Sequence, residues 1–187
     1  MTWLVIGLIA FLGLHLLPGF PGYRERLVAG LGQNGYRAVF SIASIATLAL
    51  LIWGYAQAPF VEVWSPPIWT RHLAALFMAV ALIVLMAAFF PGRIKEKLKH
   101  PMLVAIKIWA AAHLLANGDL ASILLFGGFL AYAVVDRILV KKRGERIAGV
   151  PGSAMRNDVI AVIAGLGLYV AIVMWLHRLV IGVPVFV

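Results

Sequence analysis

The sequence contains no cysteine, and its carboxylates are few. Without cysteine the chain has no disulfide, no thiolate metal site and no cysteine nucleophile. Its seven aspartates and glutamates do not pair within the apolar runs, which argues against a proton-coupled pump and against two-carboxylate hydrolysis. A nucleophile elbow, a His-Glu-x-x-His zinc motif and a phosphate-binding glycine loop are also missing. These absences leave the histidines as the candidate functional side chains.

The composition is that of a membrane protein. Of the 187 residues 64% are hydrophobic, and the mean hydropathy is +1.01, whereas soluble domains are roughly 45–50% apolar. A soluble fold of this length has no core large enough for that many apolar side chains, so the surplus must face lipid. The net charge of +9 does not indicate nucleic-acid binding here, because the basic residues cluster between apolar runs.

The apolar runs predict an all-α bundle of about six transmembrane helices. A helix needs about 20 apolar residues to cross the hydrocarbon core. No repeat or long linker divides the chain, so we expect a single domain over residues 1–187. The predicted spans cover residues 2–17, 36–57, 71–90, 101–116, 120–140 and 157–181.

Lysines and arginines gather on one predicted side of the membrane. Three loop regions hold all of them except Arg71, Lys107 and Arg178. By the positive-inside rule these regions face the cytoplasm and meet anionic lipid headgroups, so both termini are expected outside. The three regions contain Arg24, Arg26 and Arg37, then Arg93, Lys95, Lys97 and Lys99, and finally Arg137, Lys141, Lys142, Arg143, Arg146 and Arg156.

Two of the five histidines, His15 and His113, lie within apolar runs. His72, His100 and His177 fall at the ends of predicted spans, where contact with headgroups or helix capping explains them. An ionisable group deep in a membrane is a functional candidate. Two imidazoles without carboxylates or thiolates suit haem iron better than zinc. The alternative is a structural pair that hydrogen-bonds across helices, and spacing alone leaves both interpretations open.

The residues around His113 resemble the signature of the NnrU family. The resemblance covers essentially the whole chain, including the layout of six spans. It implies a multi-pass protein of the bacterial inner membrane that is associated with denitrification and with expression of nitrite and nitric oxide reductases. The residues that carry it are His100-Pro101-Met102-Leu103, Trp109, residues 112–119, His15 and residues 34–37.

NnrU proteins are similar in turn to 15-cis-ζ-carotene isomerase, which carries haem b with histidine ligation. The histidine of the isomerase's first helix matches His15, and its ligand histidine in a Trp-x-x-x-His context matches His113 after Trp109. The resemblance therefore implies haem b with iron bound by His15 and His113. The isomerase has a cysteine at the position of Ala110, so its thiolate ligand exchange is excluded in this chain.

Further side chains are candidates for cofactor binding. Trp109 and Asn117 share one stripe of a helix with His113, because residues four apart lie on the same face. Haem propionates need cations near a membrane face, and Lys107, Arg37 and Arg93 are at suitable positions. No catalytic residue is predicted.

Three functions remain open at this stage. The first is a bis-histidine haem protein that senses or handles a diatomic gas or a redox signal. The second is a haem-dependent cis–trans isomerase of a carotene-like polyene, so it stays undecided whether the chain is an enzyme. The third is a structural or assembly partner without a cofactor. Association of copies into a homo-oligomer is also left open.

Overall fold

The computed structural model describes residues 1–20, 22–142 and 154–186, which are mostly helical. The predicted all-α class is confirmed: the described residues form no β-strand, and one isolated bridge pairs Glu62 with Asp119. A 3-10 turn (Leu17–Gly19) follows the first helix, and a π-helical segment (Ile172–Leu176) precedes the last. The α-helices are α1 (Thr2–Leu16), α2 (Tyr23–Ala56), α3 (Trp69–Phe89), α4 (Arg93–Leu98), α5 (Pro101–Ala116), α6 (Leu120–Lys142), α7 (Ala154–Ala171) and α8 (His177–Ile181).

Within the described ranges, five stretches are long and apolar enough to cross a membrane. The predicted fourth span corresponds to α5, which is apolar but has only 16 residues. At 1.5 Å per residue it is about 24 Å long, less than the roughly 30 Å of the hydrocarbon core. The five stretches are Thr2–Gly19, Tyr23–Ala56, Trp69–Phe89, Leu120–Lys142 and Met155–Ile181.

The α2 helix begins well before the predicted second span and bends at Gly32. Gly32 has φ 70° and ψ 166°, a conformation that only glycine adopts readily. Arg24 reaches across the bend: its Nη2 donates to Gln33 Oε1 at 3.3 Å. The Arg24 guanidinium also lies 5.7 Å from the centre of the Tyr36 ring. The first turns of α2 thus form a charged arm that these contacts link to the apolar part of the helix.

The helices pack as two units, of which unit 1 contains α1, α2 and α6. In this unit α1 lies against both other helices. The backbones of α1 and α2 approach so closely at Gly54 that a Cβ there would lie 2.6 Å from the nitrogen of Leu4. Leu4 and Leu51 are buried beside this crossing. Small residues at crossings let membrane helices gain packing contacts where no hydrophobic effect operates.

Unit 2 contains α3, α4, α5, α7 and α8, and α3 packs against both α5 and α7. These interfaces are also built from small side chains, which permit close helix contact. A Cβ on Gly165 of α7 would lie 2.5 Å from the Cα of Ile83. The buried alanines of α3 and α5 are Ala74, Ala75, Ala81, Ala87, Ala105, Ala110 and Ala112.

A tight turn joins α4 to α5. Lys99 has φ 63° and ψ −50°, and the N–H of His100 donates to the carbonyl of Leu98 at 2.7 Å. These values describe a γ-turn of the strained type centred on Lys99. Pro101 follows directly as the first residue of α5, where the missing N–H has no helical partner to lose.

Large apolar side chains cover much of the described surface. Ile42, Ile45 and Ile163 are each more than two-thirds exposed. So many exposed large apolar side chains suit contact with lipid chains. Of the predicted basic loops, Arg143 and Arg146 lie outside the described residues. The position of the termini relative to a membrane stays a prediction.

Candidate functional site

His15 lies near the end of α1, half-buried in unit 1. Its Nδ1 is 2.7 Å from the carbonyl oxygen of Phe11, one helical turn earlier. A carbonyl oxygen only accepts, so Nδ1 carries the proton and donates. The neutral imidazole therefore keeps its lone pair on Nε2, and the hydrogen bond fixes both the tautomer and the ring orientation.

Aromatic rings surround this imidazole. The Phe11 ring is 4.3 Å from it between centroids, and the Phe40 ring of α2 meets it edge-on at 5.5 Å. The row continues in both directions, because Phe129 lies 5.9 Å from Phe11 and Tyr36 lies 5.9 Å from Phe40. His15 is thus the central member of a row of five rings.

His113 lies near the end of α5 in unit 2 and repeats the arrangement of His15. Its Nδ1 donates to the carbonyl oxygen of Trp109 at 2.8 Å, and the two rings are 5.3 Å apart between centroids. In both cases an aromatic residue stands four positions before the histidine. Its carbonyl accepts a hydrogen bond from Nδ1–H, so Nε2 is the nitrogen that carries the lone pair in the neutral ring.

Asn117 ends the helix that carries His113. Its Nδ2 donates to the carbonyl oxygen of His113 at 2.8 Å, and its backbone N–H bonds to the same oxygen at 2.9 Å. These bonds satisfy a carbonyl of the last helical turn, which otherwise has no partner. The structure therefore gives Asn117, a predicted cofactor-binding residue, a capping contact.

The three candidate propionate partners lie on different helices, and one of them, Arg93, is exposed at the start of α4. Lys107 is half-buried on α5 in unit 2, and Arg37 is exposed on α2 in unit 1. Neither side chain has an ion-pair partner among the residues that the structure describes. A half-buried ammonium group on an apolar helix favours an anionic partner, whereas an exposed guanidinium needs none.

The other histidines have contacts of their own. His177, which the sequence placed at an interface, donates from Nδ1 to the carbonyl of Val183 at 2.6 Å. The His72 ring is 6.0 Å from that of Phe186, and His100 is the residue preceding α5.

The described side chains do not form a site for a metal bound by protein ligands alone. Across residues 1–20, 22–142 and 154–186, no three histidine, aspartate or glutamate side chains group together as metal ligands. Structural zinc takes four protein ligands and catalytic zinc three, so such a site has no support here. Haem iron needs only axial ligands from the protein. A histidine whose Nδ1–H is held by a carbonyl is the form typical of a metal ligand, so His15 and His113 each fit haem.

The long apolar helices and half-buried histidines define the class: a helical membrane protein. The chain belongs to the NnrU family, since the model of that family, described as NnrU protein, matches residues 3–185. The match confirms the family predicted from the motif around His113. No curated protein and no solved structure matches the chain.

Proposed function

We propose that this protein binds haem b, with His15 and His113 as iron ligands. We further propose that it senses or handles a diatomic gas or a redox signal during denitrification, in a bacterial inner membrane. The observation that supports the haem assignment is the shared arrangement of the two histidines. Each donates its Nδ1 proton to the carbonyl of an aromatic residue one turn earlier. The link to denitrification rests on family resemblance.

In this proposal the chain's own residues prepare two ligands. The carbonyls of Phe11 and Trp109 hold each imidazole in the tautomer that presents Nε2, and they increase its basicity. The aromatic rings beside the imidazoles exclude water. Haem, when bound, supplies an iron atom that changes its redox state by one electron and binds small gases. Lys107 is the proposed partner of a propionate, with Arg37 as a second candidate.

The proposed orientation follows the basic residues. Arg24, Arg26 and Arg37 would share the cytoplasmic side with the lysines of α4 and the end of α6, leaving both termini outside. Anionic headgroups are the expected partners of these charges. A reporter fused to either terminus tests this directly: activity on the periplasmic side supports the orientation, and activity in the cytoplasm contradicts it.

The haem assignment is tested by absorption spectroscopy of protein purified in mild detergent from cells supplied with haem. We expect a Soret band and sharp reduced α and β bands. His15→Ala and His113→Ala should each change or abolish them, whereas His72→Ala, an exposed histidine, should leave them unchanged. A colourless wild-type protein would favour the assembly-partner alternative. Conversion of a carotene isomer by the reduced, haem-loaded protein would favour the isomerase alternative.

A further inference from the structure

A cavity of about 290 Å³ lies beside the start of α7 in unit 2. Its wall is one face of α7, on which apolar residues recur at helical spacing, and a single arginine of α4 stands at its edge. We call this cavity the Arg93 groove. It is lined by Arg93, Met155, Asp158, Val159, Val162 and Ile163.

Hydrogen bonds fix the polar end of the Arg93 groove. The two carboxylate oxygens of Asp158 accept the backbone N–H groups of Arg93 and Ile94 at 3.0 and 3.1 Å. Beside it, Asn157 Nδ2 donates to the carbonyl of Pro91 at 2.8 Å. The start of α7 therefore holds the start of α4 and the turn before it at three backbone positions, so the groove is preformed.

The charge at this end is unbalanced. The Asp158 carboxylate is already engaged by two backbone donors, while the Arg93 guanidinium is exposed and has no ion-pair partner among the described residues. Lys97 on α4 and Arg156 on α7 are also exposed. The same stretches also carry Lys95, which donates to the carbonyl of Ala88, and the exposed Glu96. Four cations thus stand against two carboxylates, so the polar end favours an anion.

We propose that the Arg93 groove binds one anionic phospholipid. The phosphate lies at the Arg93 guanidinium, whose planar fork of N–H donors matches phosphate oxygens. One acyl chain lies along Val159, Val162 and Ile163. Basic pockets beside transmembrane helices are typical sites for anionic headgroups.

The dimensions agree with a lipid better than with a free anion. Small-molecule pockets occupy roughly 300–1,000 Å³, so a cavity of about 290 Å³ holds a headgroup and the first part of one chain. Apart from Arg93 and Asp158 its lining is apolar, and a free phosphate would gain nothing from that surface. Val159 is 52% exposed and Ile163 67% exposed, which leaves the groove open to the bilayer along its length.

The test is native mass spectrometry of the full chain released from mixed phosphatidylglycerol and phosphatidylcholine vesicles. We expect one retained phosphatidylglycerol per protein. Arg93→Gln should weaken its apparent affinity about fivefold, which corresponds to ~1 kcal/mol for one basic side chain near a headgroup. Arg71→Gln removes the same charge from an exposed position of α3, on the predicted outer side, and should have little effect. Equal losses in both variants, or equal retention of phosphatidylcholine, would overturn the proposal.

A second pair of variants tests the groove without changing the charge. Val159→Trp fills the cavity and should reduce retention, whereas Val170→Trp changes an equally exposed α7 residue outside the lining, 50% against 52% exposed. Inorganic phosphate should displace the lipid poorly. If phosphate displaced the lipid as effectively as a short-chain phosphatidylglycerol does, the apolar lining would contribute nothing to binding, contrary to the proposal. Lipid retention is measured without reference to haem. A negative result here would therefore contradict the lipid site alone, and a colourless protein would contradict the haem assignment alone.

Discussion

Gly165 of α7 and Ile83 of α3 are in backbone contact: a Cβ on the glycine would lie 2.5 Å from the Ile83 Cα. Real side chains never approach a backbone atom that closely, so any larger residue pushes the two helices apart. Neighbouring Gly167 has nothing within 4 Å of its Cβ position. The same helix thus offers one glycine that packing requires and one that it does not.

The first prediction concerns this pair of glycines. Gly165→Ala should lower the free energy of unfolding in mixed micelles by about 1–3 kcal/mol, the usual cost of overpacking. Gly167→Ala should be neutral or slightly stabilising, because alanine is the better helix former. Equal effects at both positions would contradict the close approach of α7 to α3.

The second prediction concerns a buried hydroxyl pair in unit 1. Tyr55 Oη and Ser122 Oγ are 2.9 Å apart, and Ser122 is only 1% exposed. Tyr55→Phe leaves that hydroxyl without its partner and should destabilise the protein by about 1–3 kcal/mol. Ser122→Ala together with Tyr55→Phe should cost less than the sum of the single changes. Tyr169→Phe, at a half-buried tyrosine without a comparable bond, is the control in the same unfolding assay.

The third prediction uses the γ-turn between α4 and α5. The positive φ of Lys99 costs a residue other than glycine about 1–2 kcal/mol. Lys99→Gly removes that cost, and this gain offsets the greater conformational entropy that glycine has in the unfolded chain. Lys99→Gly should therefore be at least as stable as the wild type. Lys97→Gly, at an exposed residue inside α4, should lose about 1 kcal/mol. The reverse order of stabilities would rule out the turn.

The fourth prediction separates two roles for Asn117. As a cap on the His113 carbonyl, Asn117→Ala should lower stability by about 0.5–1.5 kcal/mol and leave the haem spectrum unchanged. Asn34→Ala, at an exposed residue of α2, is the matched control and should change neither. An altered spectrum at unchanged stability would instead place the Asn117 side chain at the cofactor.

The sequence predicted the apolar helices well because a membrane span depends on average hydropathy, which a window along the chain measures directly. It did not predict the arm before Gly32 or the α4 helix. Both contain several charges, so their hydropathy is low, yet charge does not prevent helix formation. The arm ends at Gly32 and α4 ends before Lys99, and both residues have a positive φ. The pattern of apolar runs does not predict such single positions.

The candidate ligands were predictable for a similar reason, whereas their surroundings were not. An imidazole in an apolar run stands out in any sequence, and Phe11 and Trp109 are visible one turn before His15 and His113. The ring contacts of Phe40 with His15 and of Phe129 with Phe11 arise from packing between different helices. The residue pattern of a single sequence gives no signal for such contacts.

The 16 residues of α5 have a consequence for the membrane itself. The helix is about 6 Å shorter than an average hydrocarbon core, and tilting would only shorten its projection further. If α5 crosses the membrane as the sequence predicts, the lipids next to it have to compress, or water has to reach one end of the helix. Compression costs a fraction of a kcal/mol per Å of hydrophobic mismatch. The protein should accordingly be more stable in bilayers of short-chain lipids and should partition toward the thinner regions of a mixed membrane.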